Sequence, residues 1–466
     1  MDIKGKIKTP AISIDTLLKY DRPGPRYTSY PTAPVWDESF GSDRFKAKII
    51  ETNNGKDLPP LSLYFHLPFC FSLCFYCGCN SIITKNRRNA SDYISYLKRE
   101  IENISNFVDK DRKVVQLHWG GGSPDFLNPS EMAELYGYIT DNFTIEKDAE
   151  IGVELDPRET THDHLKVLKG LGFNRISMGV QDFDPVVQKA VNRIQPEEIT
   201  RRLVTWCREL GFYSINMDLI YGLPYQTLES FNKTSDMVID INPDRIAVFN
   251  YAHVPWMKRH QKMMKEDTLP QGREKLEIFK MAIEKFTEAG YVYIGMDHFA
   301  KQKDELYTAQ KQKTLYRNFQ GYTTKAGCDL YGFGITSISM VGNCYAQNQK
   351  ALTDYYSAID SGIMAAYRGY ELNHDDLLRR HIITRLMCDF ELTKPDVEKR
   401  YGINFDGYFE KELKKLESFT DDGLLIMKPE KIEITDPGRI LIRNIAMVFD
   451  VYLEAPGREM KFSRTI

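Results

Sequence analysis

Residues 61–255 repeat one pattern, in which a short apolar run is followed by a polar or glycine-containing turn and then by a helical stretch. Parallel strands need long crossover connections, and strands that alternate with helices are typical of parallel sheets. The sequence therefore predicts an α/β fold whose sheet is a closed or partial barrel, or else a doubly wound sheet. In each case ligands bind at the carboxyl ends of the strands. The predicted strands are Leu61–His66, Val114–Trp119, Glu150–Leu155, Asn174–Met178, Ser214–Ile220 and Arg245–Phe249, with helices near 91–107, 129–141, 161–170, 196–210 and 226–240.

The first strand leads directly into a loop that contains four cysteines between residues 70 and 79. Cys70, Cys74 and Cys77 follow the spacing C-x3-C-x2-C, and Cys79 comes two residues later. Thiolates are soft ligands that select zinc, copper(I) or iron–sulfur clusters. Three of them on one loop can hold three corners of a [4Fe–4S] cluster and leave the fourth iron open. An iron–sulfur cluster is the favoured interpretation, and the alternatives are a zinc site that includes Cys79 or chance crowding.

Glycines and polar residues follow the later strands. The triplet Gly120–Gly122 is either a tight turn or a place where a ligand approaches the backbone closely. Glu154 and Asp218 could bind ribose hydroxyls or an ammonium group, or could instead cap a helix or pair with an arginine. Arg193 could reach a carboxylate, and the alternative is a surface arginine. Two further residues expected at the same edge of the sheet are Gln181 and Ala252.

The composition limits the classes of partner. The 466 residues carry a net charge of −3, with 42% hydrophobic and 27% charged residues, as in a soluble globular protein of two or three domains. Without a basic excess, a nucleic-acid partner is not expected. No apolar run is long enough for a membrane span, and Met1–Lys6 begins no secretory signal. We expect a cytoplasmic protein, because the other cysteines are scattered as in a reduced chain: Cys207, Cys328, Cys344 and Cys388.

Two further regions flank the barrel and its extension, which we expect to span residues 61–370. We expect an arm over residues 1–60 before it and a mostly helical domain over residues 371–466 after it. The prolines of Arg22–Thr32 hold that segment extended or turned. It is either a surface arm packed on the domain behind it, or a flap over an active site in which Arg22 or Arg26 meets an anionic substrate.

Beyond the sheet, the pattern predicts a helix over 273–289, a strand over Tyr291–Gly295 and glycine-rich loops over 318–322 and 332–338. His298 is either a packed, hydrogen-bonded residue or a catalytic one. In the last region, helices over Pro395–Tyr401 and Tyr408–Phe419 precede a small β-wing, which suggests a winged-helix-like module. Residues 391–440 hold nine Lys or Arg against twelve Asp or Glu, so we expect a structural cover and not a DNA reader.

Taken together, the cysteine spacing, the glycine triplet and the polar strand ends resemble those of radical SAM enzymes. Longer motifs, over the chain from about Leu17 onward, resemble the oxygen-independent coproporphyrinogen III oxidase family. The resemblance implies a partial (β/α)6 TIM-like radical SAM barrel with an N-terminal arm and a mostly α-helical, winged-helix-like C-terminal domain. The motifs are Pro25–Ala33, Tyr64–Cys79, Ser177–Phe183, Asp218–Pro224 and Phe299–Gly342.

The resemblance also implies the cofactors and the residues that bind them. It makes Cys70, Cys74 and Cys77 the ligands of a [4Fe–4S] cluster, and it leaves Cys79 outside the ligand set. Two S-adenosylmethionine molecules are expected. The first, on the cluster, would contact Tyr64, Gly121, Glu154, Ala252 and Ile338, and the second would contact Tyr76, Gly122, Ser123, Gln181, Arg193 and Asp218. Ser123 stands where the family commonly has threonine, and because the hydroxyl is kept we expect little loss of function.

The activity implied by the resemblance is radical oxidative decarboxylation of the ring A and ring B propionates of coproporphyrinogen III, which gives protoporphyrinogen IX in heme biosynthesis. The electron would come from a flavodoxin- or ferredoxin-like donor, and we expect a monomer; no amino-acid residue is assigned a catalytic role. One alternative is a heme chaperone, although such relatives usually have an aromatic residue in place of Cys79 and lack the Pro25–Ala33 arm. The others are a different radical SAM relative that acts on a tetrapyrrole, and a zinc-binding scaffold.

Overall fold

The chain alternates strands and helices as the sequence predicts, and most predicted elements of the sheet begin and end within three residues of their observed positions; the exception is the strand predicted from Glu150, which begins at Thr144. The computed structural model describes residues 11–454 and 462–466. Met1–Lys6, on which the prediction of no secretory signal rests, lies outside these residues. Two helices precede the sheet, α1 (Ile14–Tyr20) and α2 (Ser42–Asn53). The barrel region then contains β1 (Leu61–Leu67), β2 (Phe69–Cys70), β3 (Ile82–Ile83), α3 (Arg88–Ser105), β4 (Lys113–Gly121), α4 (Pro129–Asn142), β5 (Thr144–Leu155), α5 (His162–Gly170), β6 (Arg175–Gln181), α6 (Pro185–Ala190), α7 (Glu197–Glu209), β7 (Ser214–Tyr221), α8 (Leu228–Ile241) and β8 (Arg245–Asn250).

Six of these strands form a parallel sheet in the order β1–β4–β5–β6–β7–β8, which is their order along the chain. A doubly wound sheet reverses its order at one point, and no reversal occurs between β1 and β8. Right-handed crossovers that always advance in one direction place their helices on one face of the sheet. Each helix buries one side against this face of the sheet. On α3 the buried residues include Tyr93, Leu97 and Ile101, which recur at intervals of four. The sheet is therefore the wall of a partial barrel, and the doubly wound alternative is wrong.

The loops at the carboxyl ends of the strands are fixed by the helices that follow them. Asn128, Thr161 and Thr227 each begin a helix with a capping box, at α4, α5 and α8. A capping box satisfies backbone N–H groups that a helix end leaves unpaired. These loops are consequently anchored at both ends, by the strand before them and by the cap after them.

The sheet continues beyond the barrel on both sides. The predicted helix and strand that follow β8 are confirmed as α9 (Gly272–Glu288) and β9 (Tyr291–Gly295). The later elements are β10 (His298–Lys301), α10 (Glu305–Lys311), β11 (Tyr316–Asn318), β12 (Gly321–Thr323), β13 (Asp329–Phe333), β14 (Ile338–Val341), β15 (Cys344–Asn348), α11 (Leu352–Asp360) and β16 (Ala366–Glu371). The described sheet has twelve strands and ends at β16 on one side and at β9 on the other, so the barrel is open.

The prediction of loops over 318–322 and 332–338 is wrong in part. Residues 316–323 form the β11–β12 hairpin, and Gly332 lies inside β13, which pairs in parallel with β1 as a seventh barrel strand. The glycine is needed there because a Cβ atom at Gly332 would lie 2.7 Å from the carbonyl oxygen of Ile338 on the adjacent strand. A glycine inside a strand thus marks a close approach of two backbones and not a loop.

The last region contains the predicted helices and wing. Its elements are α12 (His374–Asp389), β17 (Glu391–Thr393), α13 (Lys394–Tyr401), α14 (Phe405–Tyr408), α15 (Glu410–Asp421), β18 (Leu425–Lys428), β19 (Lys431–Ile434), α16 (Asp436–Ile440) and α17 (Ile442–Ala446). β17, β19 and β18 form a three-stranded antiparallel sheet, which is the wing of a mostly helical, winged-helix-like unit.

The N-terminal arm packs against this last region. Tyr27 and Tyr30 are buried, and the Tyr27 hydroxyl donates to Asp450 over 2.9 Å. Arg26 points to the barrel, where it pairs with Asp297 at 2.6 Å, whereas Arg22 is exposed. Buried residues of the arm, the barrel and the last region share one hydrophobic core. The domain boundaries at 60 and 370 stay a prediction.

Among the described helices, none combines the length and the apolar composition that a membrane span requires.

Candidate active site

The cysteine loop, residues 70–81, extends from the carboxyl end of β1 and is closed at its base. The short strands β2 and β3 pair, and the Thr84 N–H donates to the Cys70 carbonyl over 3.0 Å. Cys74 is buried, Cys70 and Cys77 are partly exposed and Cys79 is exposed. Burial and the neighbouring thiols of Cys77 and Cys74 raise the pKa of Cys70 to about 12, whereas a hydrogen bond from Cys79 lowers the pKa of Cys77. All four cysteines of the loop border the same cavity.

Most of the residues that the sequence predicts for the site surround one cavity of about 190 Å³ at the carboxyl ends of the strands. This brings together elements from β1 to β7, as expected for the concave end of a barrel. The predicted residues on its wall are Cys70, Cys74, Tyr76, Cys77, Gly121, Gly122, Ser123, Glu154, Gln181, Arg193 and Asp218.

Tyr64, Ala252 and Ile338 lie outside this wall. The Tyr64 ring stacks on His118 at a centroid distance of 6.1 Å, and its hydroxyl lies 3.2 Å from Nδ1 of His66. Ile338 is connected to Tyr64 through the sheet. The backbone of Ile338 contacts Gly332, and Gly332 is the register partner of Tyr64. Tyr64 and Ile338 are therefore linked only through Gly332 on the intervening strand β13, outside the cavity wall.

The glycine triplet is required by close packing. A Cβ atom at Gly120 would lie 2.8 Å from the Glu154 carboxyl, one at Gly121 would lie 2.5 Å from the His66 ring, and one at Gly122 would lie 2.5 Å from the Pro68 backbone. Gly121 also has a φ of +110°, which L side chains rarely adopt. Gly120 and Gly121 are the last residues of β4, so the contacts reflect close packing at a strand end and not a tight turn, and Gly121 and Gly122 also line the cavity.

Glu154 is held at the end of β5 by two donors. The Gly121 N–H donates to its Oε2 over 3.1 Å, and Nε2 of His118 lies 3.4 Å from its Oε1. Burial raises the pKa of Glu154, but His118 and the Gly121 N–H outweigh burial and lower it. The group is therefore an ionised carboxylate at neutral pH, fixed in one orientation.

Two arginines and Asp156 form a charged network behind Cys74, and the sequence did not assign a role to Asp156 or Arg158. Asp156 pairs with Arg158 at 2.6 Å and with Arg193 at 3.1 Å, and each arginine has an Nη atom 3.6 Å from the Cys74 sulfur. Burial raises the pKa of Asp156, but the two guanidinium groups bring it to about 2. Arg193 is thus buried and paired, and the surface-arginine alternative is wrong.

Ser123 faces a second buried carboxyl. Its hydroxyl donates to Asp125, whose other oxygen accepts from the Asp156 N–H over 3.1 Å and from the Thr160 hydroxyl over 2.6 Å. Burial and the charge of Asp156 raise the pKa of Asp125 to about 7. The serine hydroxyl thus serves the packing of this loop, which explains why a hydroxyl at position 123 matters whether serine or threonine carries it.

Asp218 and Gln181 complete the cavity on the β6–β7 side. Asp218 accepts from Asn216 over 2.7 Å and from Ser177 over 3.3 Å, while burial raises its pKa to about 7. Gln181 has a φ of +69°, and its Oε1 is buried without a hydrogen-bond partner among the described residues. A strained backbone and an unpaired buried oxygen at a cavity wall are typical of a ligand contact.

A segment that the sequence left unassigned supports the cysteine loop from outside. Nε2 of Gln261 lies 3.2 Å from the carbonyl oxygens of both Tyr76 and Ala252, and it donates to both. Nε2 of His260 lies 2.7 Å from the carbonyl oxygen of Cys77. Ala252 is thereby tied to the cysteine loop although it lies outside the cavity wall. No sequence pattern could reveal these contacts, because they join side chains to distant backbone carbonyls.

The residues present fit an iron–sulfur cluster with an organic cofactor beside it. Three thiols from one loop border the cavity, two arginine side chains lie near one of them, and Gln181, whose Oε1 has no hydrogen-bond partner among the described residues, lies on the same wall. Within residues 11–454 and 462–466, no three His, Cys, Asp or Glu side chains stand close enough to hold a single metal ion. A [4Fe–4S] cluster instead takes each cysteine at a different iron.

Comparison with known proteins gives matches along nearly the whole chain. A family model of the radical SAM superfamily matches residues 64–238, and a model of the HemN C-terminal domain matches residues 372–441. An oxygen-independent coproporphyrinogen III oxidase from Synechocystis sp. is 47% identical over 462 residues, which are 98% of this chain and 99% of that protein. The protein of the same name from Escherichia coli K12 is 47% identical over 450 residues, 97% of each. The solved structure of coproporphyrinogen III oxidase (HemN) from Escherichia coli has a TM-score of 0.91 and 45% identity, and it covers 96% of this chain and 100% of that chain.

The fold and the site together define a radical SAM enzyme, with a [4Fe–4S] cluster and S-adenosylmethionine as its cofactors. Within this class, the chain belongs to the oxygen-independent coproporphyrinogen III oxidase family.

Proposed function

We propose that this chain converts the ring A and ring B propionates of coproporphyrinogen III to vinyl groups and so produces protoporphyrinogen IX for heme biosynthesis. The observation that carries the proposal is similarity over nearly the whole chain to relatives named for this oxidation, at 47% identity in the Synechocystis protein. The cavity described above supports it, because it brings the cysteines and the polar strand ends together. Each propionate loses CO2, one hydrogen atom and one electron.

The site residues have separate roles in this proposal. Cys70, Cys74 and Cys77 hold the cluster, and the resemblance gives Cys79 no ligand role. When bound, the cluster and S-adenosylmethionine supply the hydrogen-abstracting adenosyl group, which is chemistry that no side chain provides. The fixed carboxylate of Glu154 orients the molecule on the cluster through its polar groups, with Tyr64, Gly121, Ala252 and Ile338 around it.

The opposite wall receives the second S-adenosylmethionine in this proposal. Gln181 offers its unpaired oxygen, and Asp218 offers a carboxyl at which a proton is held near neutral pH. Arg193 acts mainly through Asp156 and Cys74, because its guanidinium is already paired. The remaining contacts are Tyr76, Gly122 and Ser123.

The electron donor, the compartment and the oligomeric state belong to the same proposal. The electron comes from a flavodoxin- or ferredoxin-like donor, and the chain works as a cytoplasmic monomer without a nucleic-acid partner. The scattered, reduced cysteines support the compartment. The acidic balance of residues 391–440 supports the absence of a nucleic-acid partner.

A direct assay tests the proposed function. Anaerobically reconstituted protein is incubated with S-adenosylmethionine, dithionite, coproporphyrinogen III and an electron-accepting cell extract. We expect protoporphyrinogen IX together with 5′-deoxyadenosine. Formation of 5′-deoxyadenosine without this product would assign the chain a different substrate.

The cluster ligands have their own test. Cys74→Ala removes a thiolate that both arginines face, so we expect loss of the brown chromophore and of all turnover. Cys207→Ala is the matched control, because Cys207 is equally buried but lies on α7 in the hydrophobic core. A full iron–sulfur absorption spectrum in purified Cys74→Ala would show that the ligand assignment is wrong.

A further inference from the structure

Residues 254–265, here called the strap, form an exposed surface beside the cysteine loop. Three of its large apolar side chains are mostly in solvent: Trp256 is 58% exposed, Met257 is 67% exposed and Met263 is 66% exposed. Large apolar side chains grouped at a surface commonly mark a site of protein association. Aromatic residues and methionine are enriched in such interfaces.

The strap is also strongly basic. It contains Lys258, Arg259, Lys262 and Lys265 and no Asp or Glu, in a chain whose net charge is −3. Arg259, Lys262 and Lys265 are exposed, and none of them forms an ion pair with a carboxylate of the described residues. The adjoining Glu266 is turned to His253 at 3.0 Å. An apolar centre with a basic rim is complementary to an acidic protein surface.

The strap contacts the backbone of the cysteine loop directly. The Lys258 ammonium donates to the Cys79 carbonyl over 2.7 Å, and His260 and Gln261 contact the carbonyls of Cys77 and Tyr76. Beneath the strap, the buried Met264 belongs to the same apolar cluster as Phe75 of the loop. The strap therefore packs directly against the backbone of the loop that carries the cysteines.

A second exposed pair borders the same apolar cluster. Val186 is 58% exposed and Ile194 is 61% exposed, whereas Val187, next to Val186, and Val191, three residues before Ile194, are buried in the cluster that contains Met264. Exposed apolar side chains thus occur in two segments of the chain that pack on the apolar cluster of Phe75. A protein that covers them comes close to the cysteine loop without entering the cavity.

We propose that the strap is the docking surface for an acidic, low-potential one-electron carrier protein. This inference rests on the proposed function, which requires one electron to reach the cluster for each S-adenosylmethionine that is cleaved. The carrier is oxidised by one electron and the cluster is reduced by one. The basic rim attracts and orients the carrier, and the apolar centre with Trp256 supplies the contact that excludes water.

The test compares two sources of electrons. The triple variant Arg259→Glu/Lys262→Glu/Lys265→Glu reverses the rim but leaves the strap contacts with the loop carbonyls intact. The matched control reverses three exposed lysines of the last region, Lys399→Glu/Lys411→Glu/Lys414→Glu. Each protein is reduced either by flavodoxin with its NADPH-dependent reductase or by dithionite, which needs no docking surface.

We expect the rim variant to lose at least tenfold in the flavodoxin-driven rate of cluster reduction, followed by electron paramagnetic resonance, and to keep the dithionite-driven rate within twofold. Its Kd for flavodoxin, measured by calorimetry on the cluster-free chain, should rise by a similar factor. The control should match the wild type in both arms. The flavodoxin-driven rate of the wild type should also fall steeply with ionic strength, as steered association does.

Three results would overturn the docking proposal. They are an unchanged flavodoxin-driven rate in the rim variant, an equal loss in both arms, and an equal loss in the control variant. Because cluster reduction is measured without a tetrapyrrole, failure of the proposed function leaves this readout intact. A second variant, Trp256→Ser, addresses the apolar centre and should weaken flavodoxin binding while leaving reduction by dithionite unchanged.

Discussion

Glu100 illustrates how one buried residue stabilises the barrel outside the active site. It lies on α3 and is 2% exposed. Its carboxyl accepts from the Gly334 N–H and the Tyr355 hydroxyl, each over 2.7 Å, and from Asn348 over 2.6 Å. Burial outweighs these donors and raises the pKa of Glu100 to about 7. One side chain thus joins α3 to the turn after β13, to β15 and to α11.

This residue predicts a specific pH dependence of stability. Because the folded-state pKa lies above the 4.5 of a free glutamate, the contribution of Glu100 is complete below pH 4.5 and is lost as the pH rises through 7. We expect the free energy of unfolding of the wild type, relative to Glu100→Gln, to fall by about 2.5 kcal/mol between pH 5 and pH 8. Urea titrations of the cluster-free proteins at several pH values measure it. A difference that does not vary with pH would contradict the prediction.

β13 is the element that connects the barrel to its extension. It pairs in parallel with β1, so that Tyr64 lies opposite Gly332, and on its other side it packs against β14. The close approach at Gly332 brings the backbone of Ile338 on β14 against one side of β13, and Tyr64 on β1 pairs with the other side. The strand therefore positions two of the residues predicted to surround the cofactor without contributing a side chain itself.

Substitution at this glycine tests the role of the element. In Gly332→Ala the new methyl group meets the Ile338 backbone, so we expect the free energy of unfolding to fall by about 1–3 kcal/mol. The control is Gly137→Ala on α4, where a Cβ atom meets nothing within 4 Å and helix propensity favours alanine. This control should gain up to about 1 kcal/mol. Equal effects of the two changes, measured by chemical unfolding, would contradict the argument.

The elements that the sequence predicts are those with local causes. The barrel strands and helices follow from periodicity between Leu61 and Asn250, and the cysteine spacing lies within one loop. The pairing of β13 with β1 was missed because it joins residues more than 260 positions apart, and Gly332 resembles a loop residue. Asp156 could have been suspected, since it follows Glu154 at the same strand end. The contacts of Gln261 could not have been predicted, because they are made to backbone carbonyls, which every residue carries.

At the scale of the whole molecule, Arg443 joins three distant parts of the chain. Its guanidinium donates to the carbonyls of Gly24 over 2.6 Å, Pro25 over 3.1 Å and Thr465 over 2.9 Å. The residue is 4% exposed, and burial lowers its pKa to about 10. It therefore remains charged at neutral pH while it satisfies backbone oxygens of the arm and of the tail.

Removal of this side chain should loosen the arm. In Arg443→Met the volume is largely kept but three buried carbonyls lose their donor, so we expect a loss of about 2–4 kcal/mol in the free energy of unfolding. Cleavage by a protease within residues 20–30 should become faster. Arg400→Met, on the exposed side of α13, should change stability by less than about 0.5 kcal/mol. An arm as protected as in the wild type would contradict this role for Arg443.

The Arg443 contacts also set an order of events during synthesis. Pro25 and Arg443 are 418 residues apart along the chain. Since ribosomes add roughly 5–20 residues per second, Arg443 emerges roughly 20–80 s after Pro25. All barrel strands from Leu61 to Asn250 are translated within that interval. The contacts by which Arg443 holds the arm can therefore form only after these strands have left the ribosome.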